Sequence, residues 1–389
     1  MHSKRRQILQ AALAGAALPL GAMASLQPAN ASATLDPQAR QMVDALMREH
    51  GIAGLAIATT QRGKQAFHNF GVASKATGQA VSSQTLFEIG SISKTFTALL
   101  ASHAAVAGRL KLGDSPAKFL PELDGSEIAK ADLLGLATHT TGGFPLQFPD
   151  GIGTREQLMA YYRAWQPSYA AGSARTYANP SIGLLGMVAA KAWGMPFDAA
   201  MEKMLFPALG LHDTFLTMPE AAMPRYAQGY DKADAPVRVN PGMLAHEAYG
   251  VKTSAQDLLR WVELNLDPSK APAELAQAIS ATHTGYFKLG AMTQALVWEL
   301  YAEQAALADL LEGNSSKMAL QTHRVQRLAP PQAPQQAGLI NKTGATGGFG
   351  AYVAFMPRQQ AGVVLLANRN YPNAARVRLA HRILHALEG

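Results

Sequence analysis

Residues 339–368 read LINKTGATGGFGAYVAFMPRQQAGVVLLAN. Three runs rich in β-branched and aromatic residues, LINKTG, YVAFMP and GVVLLAN, are joined by glycine-containing turns, which reads as three consecutive antiparallel strands. A helical pattern from about Asn373 to Leu387 follows them. At the other end, Asp36-Pro37 opens a helix with Met42, Val43, Leu46 and Met47 at helical spacing, ending near Gly51. LAIATTQ, the turn RGK and KQAFHNFGVAS then form a hairpin. Ser91 to about Gly108 reads as a buried helix carrying Phe96, Leu99 and Leu100, and from there to about residue 215 the chain is helix, turn and loop. Strands at both ends with helices between predict an α/β (α+β) fold: one antiparallel sheet formed from both chain ends and flanked by helices, plus an inserted mostly helical domain. The expected boundaries are 34–88 with 240–389 for the first domain and 89–239 for the second, with the site in the crevice between them. No internal repeat is visible, and APPQAPQQA at 329–337 reads as a surface loop leading into the strand at 339.

Of the 389 residues, 48% are hydrophobic and 16% charged, the balance of an ordinary globular protein rather than a disordered one. There are no cysteines, which excludes disulfides, thiolate catalysis and cysteine metal sites. Lys4, Arg5 and Arg6 precede an apolar run from Ile8 to Leu26 and then small residues at Ala29-Asn30-Ala31 and Ala31-Ser32-Ala33, the layout of an export signal over residues 1–33. The Arg5-Arg6 pair followed by Ile8-Leu9 resembles a twin-arginine signal. The expected location is therefore periplasmic, with no membrane segment after cleavage. Three of the 34 basic residues fall in that leader, so the mature chain sets 31 against 27 acids. This mild excess has no basic stripe interleaved with aromatics, and nucleic acid is not an expected partner. A monomer is the default.

Two SxxK spacings compete as chemistry: Ser91 to Lys94 and Ser115 to Lys118. Ser115 follows Asp114 and precedes Pro116, which reads as a helix start with an N-cap, leaving Lys118 solvated. Ser91 follows Gly90 and opens a strongly apolar helix, with Lys94 one turn on along the same face. A cation at a helix N-terminus opposes the helix dipole, so Lys94 needs a specific partner unless it reaches water and Ser91 is only a cap. Downstream, RTYANPSIG gives Tyr177-x-Asn179 and INKTGATGGFG gives Lys342-Thr343-Gly344. A second YxN lies at Tyr371 to Asn373, whereas KTG occurs once. The order SxxK, YxN, KTG pairs a serine with two lysines and a phenol, groups that could activate it for acyl transfer.

With QTLFEIGSISKTF, TGGFPLQFPD, RTYANPSIGLLG, EAYGVKTS, LVWEL, NKTGATGGFGAYVAF and LLANRNYPNAARV, the mature chain closely resembles the class C serine β-lactamases, the cephalosporinases. The resemblance implies hydrolysis of β-lactams, cephalosporins and penicillins, through an acyl-enzyme on Ser91, with neither metal nor cofactor. It implies Lys94 and Tyr177 as joint general base, Lys342 as the second cation, and the backbone N–H groups of Ser91 and Ala345 as the oxyanion hole. Gln147 and Asn179 would meet the substrate's side-chain amide. Thr343, Asn373 and Arg376 would meet its carboxylate, directly or through water, next to Gly344. Tyr249 would flank the deacylating water and Glu299 would support. Asn341 stands before KTG where many members have histidine, a departure that bears on substrate preference. No glutamate has asparagine four residues on, the pair that class A enzymes use for deacylation, so Tyr177, Lys94 or the substrate's amine would activate water.

Rival readings are a serine esterase or D-amino-acid peptidase of the same superfamily, whose members tend to replace KTG, and a non-hydrolysing penicillin-binding sensor, which needs a membrane segment. GxSxG is absent, and His246-Glu247 lacks the second histidine of HExxH.

Overall fold

The computed structural model describes residues 35–388, all within one compact unit. The expected export signal, 1–33, lies outside the described residues. Helix α1 (Pro37–His50) starts where Asp36 accepts hydrogen bonds from Gln38 N and Ala39 N with proline in the first turn, and stops at Gly51 in the left-handed region. The hairpin follows as β1 (Gly54–Gln61) and β2 (Lys64–Gly71).

The C-terminal runs form β7 (Leu339–Ala345), β8 (Gly350–Met356) and β9 (Ala361–Ala367). Strand β9 pairs antiparallel with β1, Leu55 opposite Ala367 and Gln61 opposite Ala361, so the two chain ends do share one sheet. That sheet has nine strands, because β3 (Gly285–Leu289), β4 (Met292–Gln294), β5 (Glu299–Tyr301) and β6 (Gln326–Gln332) extend it beyond β7 in the order β6-β3-β4-β5-β7-β8-β9-β1-β2. The sequence reading missed all four of these strands. β4 and β5 have three residues each, every one buried, so no alternation marks them. The APPQAPQQA loop is corrected in part: Ala329–Gln332 belong to β6, the sheet's edge, where prolines cost no ladder hydrogen bond on the outer side.

Every residue of β9 is buried, because both faces of the sheet are covered. Val364 and Leu366 face one core with Ala56, Ala58, Val353 and Phe355, and Val363 and Leu365 face the other with Leu55, Ile57, Ala354 and Met356. Alternation of side chains along each strand makes that division. The first core continues into the helical layer through α2 (Ser93–Val106), buried from Ser93 to Ala104, α3 (Asn179–Trp193) and α4 (Ala255–Leu266). The second core lies under α1 and α5 (Asn373–Glu388). α2 is interior on every face, so its polar side chains Lys94, Thr95, Thr97 and Ser102 are met by hydrogen-bond partners rather than by water.

Candidate active site

Ser91 sits in a 3₁₀ turn, Gly90–Ile92, just ahead of α2, and it caps nothing. Gly90 has φ of +51°, and a Cβ there would overlap the backbone of Ala345. A Cβ on Gly344 would in turn overlap the carbonyl of Ile89. These two glycines let β7 meet the turn backbone to backbone, which sets Ser91 beside Ala345. The competing SxxK is resolved as well: Ser115 accepts from Ala117 N as the cap of the 3₁₀ turn Pro116–Lys118, and Lys118 pairs with Asp114 at the exposed surface. A Gly344→Ala chain is expected to lose about 10²- to 10³-fold in kcat, the loss associated with one misplaced oxyanion donor, and near-UV circular dichroism checks that the fold persists.

Lys94 is wholly buried, and its Nζ donates to Ser91 Oγ at 3.0 Å and to Ala248 O at 2.8 Å. The partner that the dipole argument demanded is therefore the serine and a backbone carbonyl. Tyr177 follows the strand Ala174–Thr176 and precedes α3. The Nζ atoms of Lys94 and Lys342 each lie 5.1 Å from its ring centre, and the Arg175 guanidinium lies 5.3 Å away. Glu299 is the one acid among them, 3.4 Å from Arg175 and 3.6 Å from Lys342.

This excess of positive charge governs the titration of the site. Burial pushes the Lys94 ammonium down to about 8, Tyr177 opposing that fall and Lys342 adding to it. Burial alone would raise the Tyr177 phenol, but the charges of Lys342 and Lys94, with a contribution from the Ser91 hydroxyl, bring it down to about 8. The two groups thus compete for a proton beside the serine.

Two neighbours were invisible as site residues in the sequence. Arg175 lies two positions before Tyr177, and within the RTY run that spacing was the available signal. Its Nε donates to Gln294 Oε1 at 2.6 Å and its Nη1 to Met318 O at 2.8 Å, tying the strand under Tyr177 to β4. His139 adopts a left-handed φ of +61° at the end of the helix Leu133–Thr138, an uncommon geometry for a non-glycine residue. Its ring lies 4.5 Å from that of Tyr177, its O accepts from Thr176 N and its Nδ1 accepts from Ala178 N, so it holds the tyrosine's backbone on both sides. Burial, then Arg175, Lys94 and Lys342, keep this imidazole well below its ordinary pKa and hence neutral.

Ser91, Arg175, Tyr177 and Lys342 line one cavity of about 670 Å³ that also takes in Gln147, Asn179, Tyr249, Glu299, Thr343, Gly344, Ala345 and Asn373. The structure thus brings together twelve of the thirteen site residues read from the sequence, with Lys94 beneath Ser91. Tyr177 Oη and Asn179 Oδ1 are buried with no hydrogen-bond partner among the described residues. Buried polar atoms are rarely left so, which marks them as atoms a ligand would satisfy. Tyr249 Oη accepts from Gly242 N at 3.2 Å. Buried Glu88 accepts from Tyr226 Oη, Val239 N and Thr346 Oγ1, drawing the 237–240 wall and the β7–β8 turn together.

Arg376 is the correction. It has no exposed surface and does not line the cavity; its guanidinium donates to Gly344 O at 2.7 Å, Ala351 O at 3.3 Å, Asn370 Oδ1 at 2.7 Å and Tyr371 O. A guanidinium wrapped by four oxygens braces the strand and the Asn370 loop, and its remaining N–H, on Nε, is buried away from the cavity wall. Asn341, expected to bear on substrate preference, is also buried and absent from the cavity wall. Among the described residues no cluster of His, Asp or Glu could hold a metal ion, and no helix is long and apolar enough to cross a membrane.

An antiparallel sheet joined to a helical layer, with a serine, two lysines and a tyrosine at their junction, carries the SxxK and KTG motifs on one cavity. A family profile described as Beta-lactamase matches residues 39–388, and the chain belongs to that family. It is 51% identical over 353 residues to a beta-lactamase of Pseudomonas fluorescens, covering 90% of this chain and 99% of the relative. A solved structure described as a beta-lactamase/D-alanine carboxypeptidase from Pseudomonas syringae is 53% identical, with a TM-score of 0.88 over 89% of this chain and 97% of that one. A class C beta-lactamase solved in complex with cefoxitin is 45% identical, with a TM-score of 0.86 over 90% of this chain and 99% of that one. Within the family the chain is a hydrolase of the class C type.

Proposed function

We propose that the chain hydrolyses the β-lactam amide of cephalosporins and penicillins through an acyl-enzyme on Ser91, and so confers resistance to them. The observation that carries this reading is the 3.0 Å contact from Lys94 Nζ to Ser91 Oγ beside a phenol brought down to about 8. A serine hydroxyl is a weak nucleophile at neutral pH, and a base of this strength at its side takes its proton during attack. Tyr177 and Lys94 share that task, and the proton then passes through Tyr177 to the departing lactam nitrogen. The backbone N–H groups of Ser91 and Ala345 stabilise the oxyanion. Lys342, Thr343 and Asn373 bind the substrate's carboxylate, and Gln147 and Asn179 its side-chain amide. Arg376 acts behind them by holding Gly344 and Asn370. Tyr249 flanks the water that hydrolyses the ester, and Glu299 balances Lys342 and Arg175.

The division into 34–88 with 240–389 and 89–239, export of a monomer to the periplasm, and the absence of any cofactor complete the proposal. The Pseudomonas syringae structure's printed name couples beta-lactamase with D-alanine carboxypeptidase, which favours a peptide ending in D-alanyl-D-alanine as the second substrate class. The deciding experiment offers the mature chain a chromogenic cephalosporin, benzylpenicillin and such a peptide in parallel. The expected result is continuous turnover of both β-lactams, with kcat/KM for the peptide at least about a hundredfold lower, a discrimination within reach of a few polar contacts. Preferential release of D-alanine would reverse the assignment.

A further inference from the structure

A second cavity, of about 730 Å³, opens in the helical layer between the helix Arg155–Ala164, α3 and the segment that leads into the short helix Ala245–Ala248. It shares no lining residue with the catalytic cavity. Leu158, Met187, Met195, Phe197 and Met243 make its wall apolar. Into this wall is set one carboxylic acid, Glu247, only 8% exposed. Its carboxylate makes no hydrogen bond or ion pair with another described residue.

The placement is built into the chain. Gly183 and Gly186 lie three apart in α3, where a Cβ would meet Leu244 Cδ1 at 2.7 Å and Glu247 Cγ at 2.5 Å. Glycine inside a helix is unfavourable relative to alanine, and here it makes room for the glutamate's stem. An unpaired carboxylate in such surroundings is disfavoured. Burial, with help from Asp198, accordingly pushes the Glu247 carboxyl up to about 7.

We propose that this cavity is a second ligand site, for a small hydrophobic ammonium whose charged end pairs with Glu247 and whose hydrocarbon body lies on the methionine and phenylalanine wall. A cation satisfies the buried carboxylate, and thioether and aromatic surfaces are favourable neighbours for it. The two basic residues on the lining do not reverse this preference. Arg155 is paired with Glu122 at 2.7 Å, and Lys191 is exposed, where its charge is screened.

The site also has a route to the catalytic centre. Glu247 O accepts from Thr97 Oγ1 at 2.6 Å, the next carbonyl, Ala248 O, accepts from Lys94 Nζ at 2.8 Å, and the residue after that, Tyr249, lines the catalytic cavity. A ligand held by Glu247 therefore sits one residue from the carbonyl that holds Lys94.

The test is a titration of the full mature chain, with ¹³C-labelled methionine methyls, by 2-phenylethylammonium, read by NMR. Saturable shifts are expected at Met187, Met195 and Met243, at least tenfold weaker binding in Glu247→Gln, and no saturation with neutral 2-phenylethanol over the same range. Shifts confined to Met318, which lines the catalytic cavity, would overturn the proposal. So would equal binding of the alcohol, a control that decides the matter in the wild type even if the variant fails to fold. The experiment is independent of the reading of Ser91.

Discussion

Replacing Ser91 with alanine is expected to lower kcat on a chromogenic cephalosporin by about 10⁶-fold, the loss seen when the nucleophile of a serine hydrolase is removed. The same change should abolish the mass increment of one acyl group that the wild type shows when quenched during turnover. The cavity holds other aliphatic hydroxyls, but among them Ser91 Oγ alone, of the described residues, lies at hydrogen-bond distance from Lys94 Nζ. Loss of the hydroxyl removes the covalent route and leaves the oxyanion donors and the binding contacts, so KM should change far less than kcat. The control is Ser115→Ala, the other SxxK serine. Ser115 closes a 3₁₀ turn and donates to Ala129 O, so its loss should cost stability, about 0.5–2 kcal/mol for a cap, and leave kcat unchanged. Residual turnover in Ser91→Ala above about one part in 10³ would point to a route without the acyl-enzyme, and the assignment of the nucleophile would fall.

The legibility of this chain in sequence follows its physics. The three C-terminal strands and the N-terminal hairpin were readable because turn residues bound each run, and the helix after Ser91 because Phe96, Leu99, Leu100 and a stretch of alanines follow it. The two strands at 292–294 and 299–301 were not readable: they have three residues each, all buried, and carry no period. The site was legible where spacing is tied to one element, as for Ser91 and Lys94, or where a motif occurs once, as for Lys342 to Gly344. Arg376 shows the limit. One turn into α5, it was read as a substrate ligand, but a guanidinium can as readily brace backbone carbonyls, and only the fold shows that Gly344 O, Ala351 O and Tyr371 O surround it. His139 shows the converse, because nothing in ATHTTGG announces a ring that will pack on a tyrosine 38 positions on. Gly90 and Gly344 fall between: each was noticed for its motif, but their shared role, a backbone contact between two elements distant in sequence, exists only in three dimensions.

Tyr177→Phe should lower kcat/KM by about 10²- to 10⁴-fold, the span of general acid–base contributions, and it should slow acylation and deacylation alike. The phenylalanine keeps the ring that packs on His139 and lies 5.1 Å from each lysine, so the fold and the cavity should persist. What goes is the one oxygen whose proton affinity is tuned to the task. In the wild type both Tyr177 and Lys94 titrate near 8. At low pH the pair holds two protons and has no base to offer Ser91. Loss of one proton creates that base while keeping one proton for the leaving nitrogen, and loss of both removes the acid. The sign follows directly: kcat/KM rises as pH climbs toward about 8 and falls again above it, a profile belonging to the pair rather than to either residue. With phenylalanine at 177 the rising limb can report only Lys94. The falling limb, which in the wild type marks loss of the proton kept for the leaving nitrogen, should disappear with the phenol. A variant that is slow, folded and without the falling limb would bear out the shared role. Near-normal turnover with an unmoved profile would leave Lys94 as the sole base and reduce Tyr177 to packing.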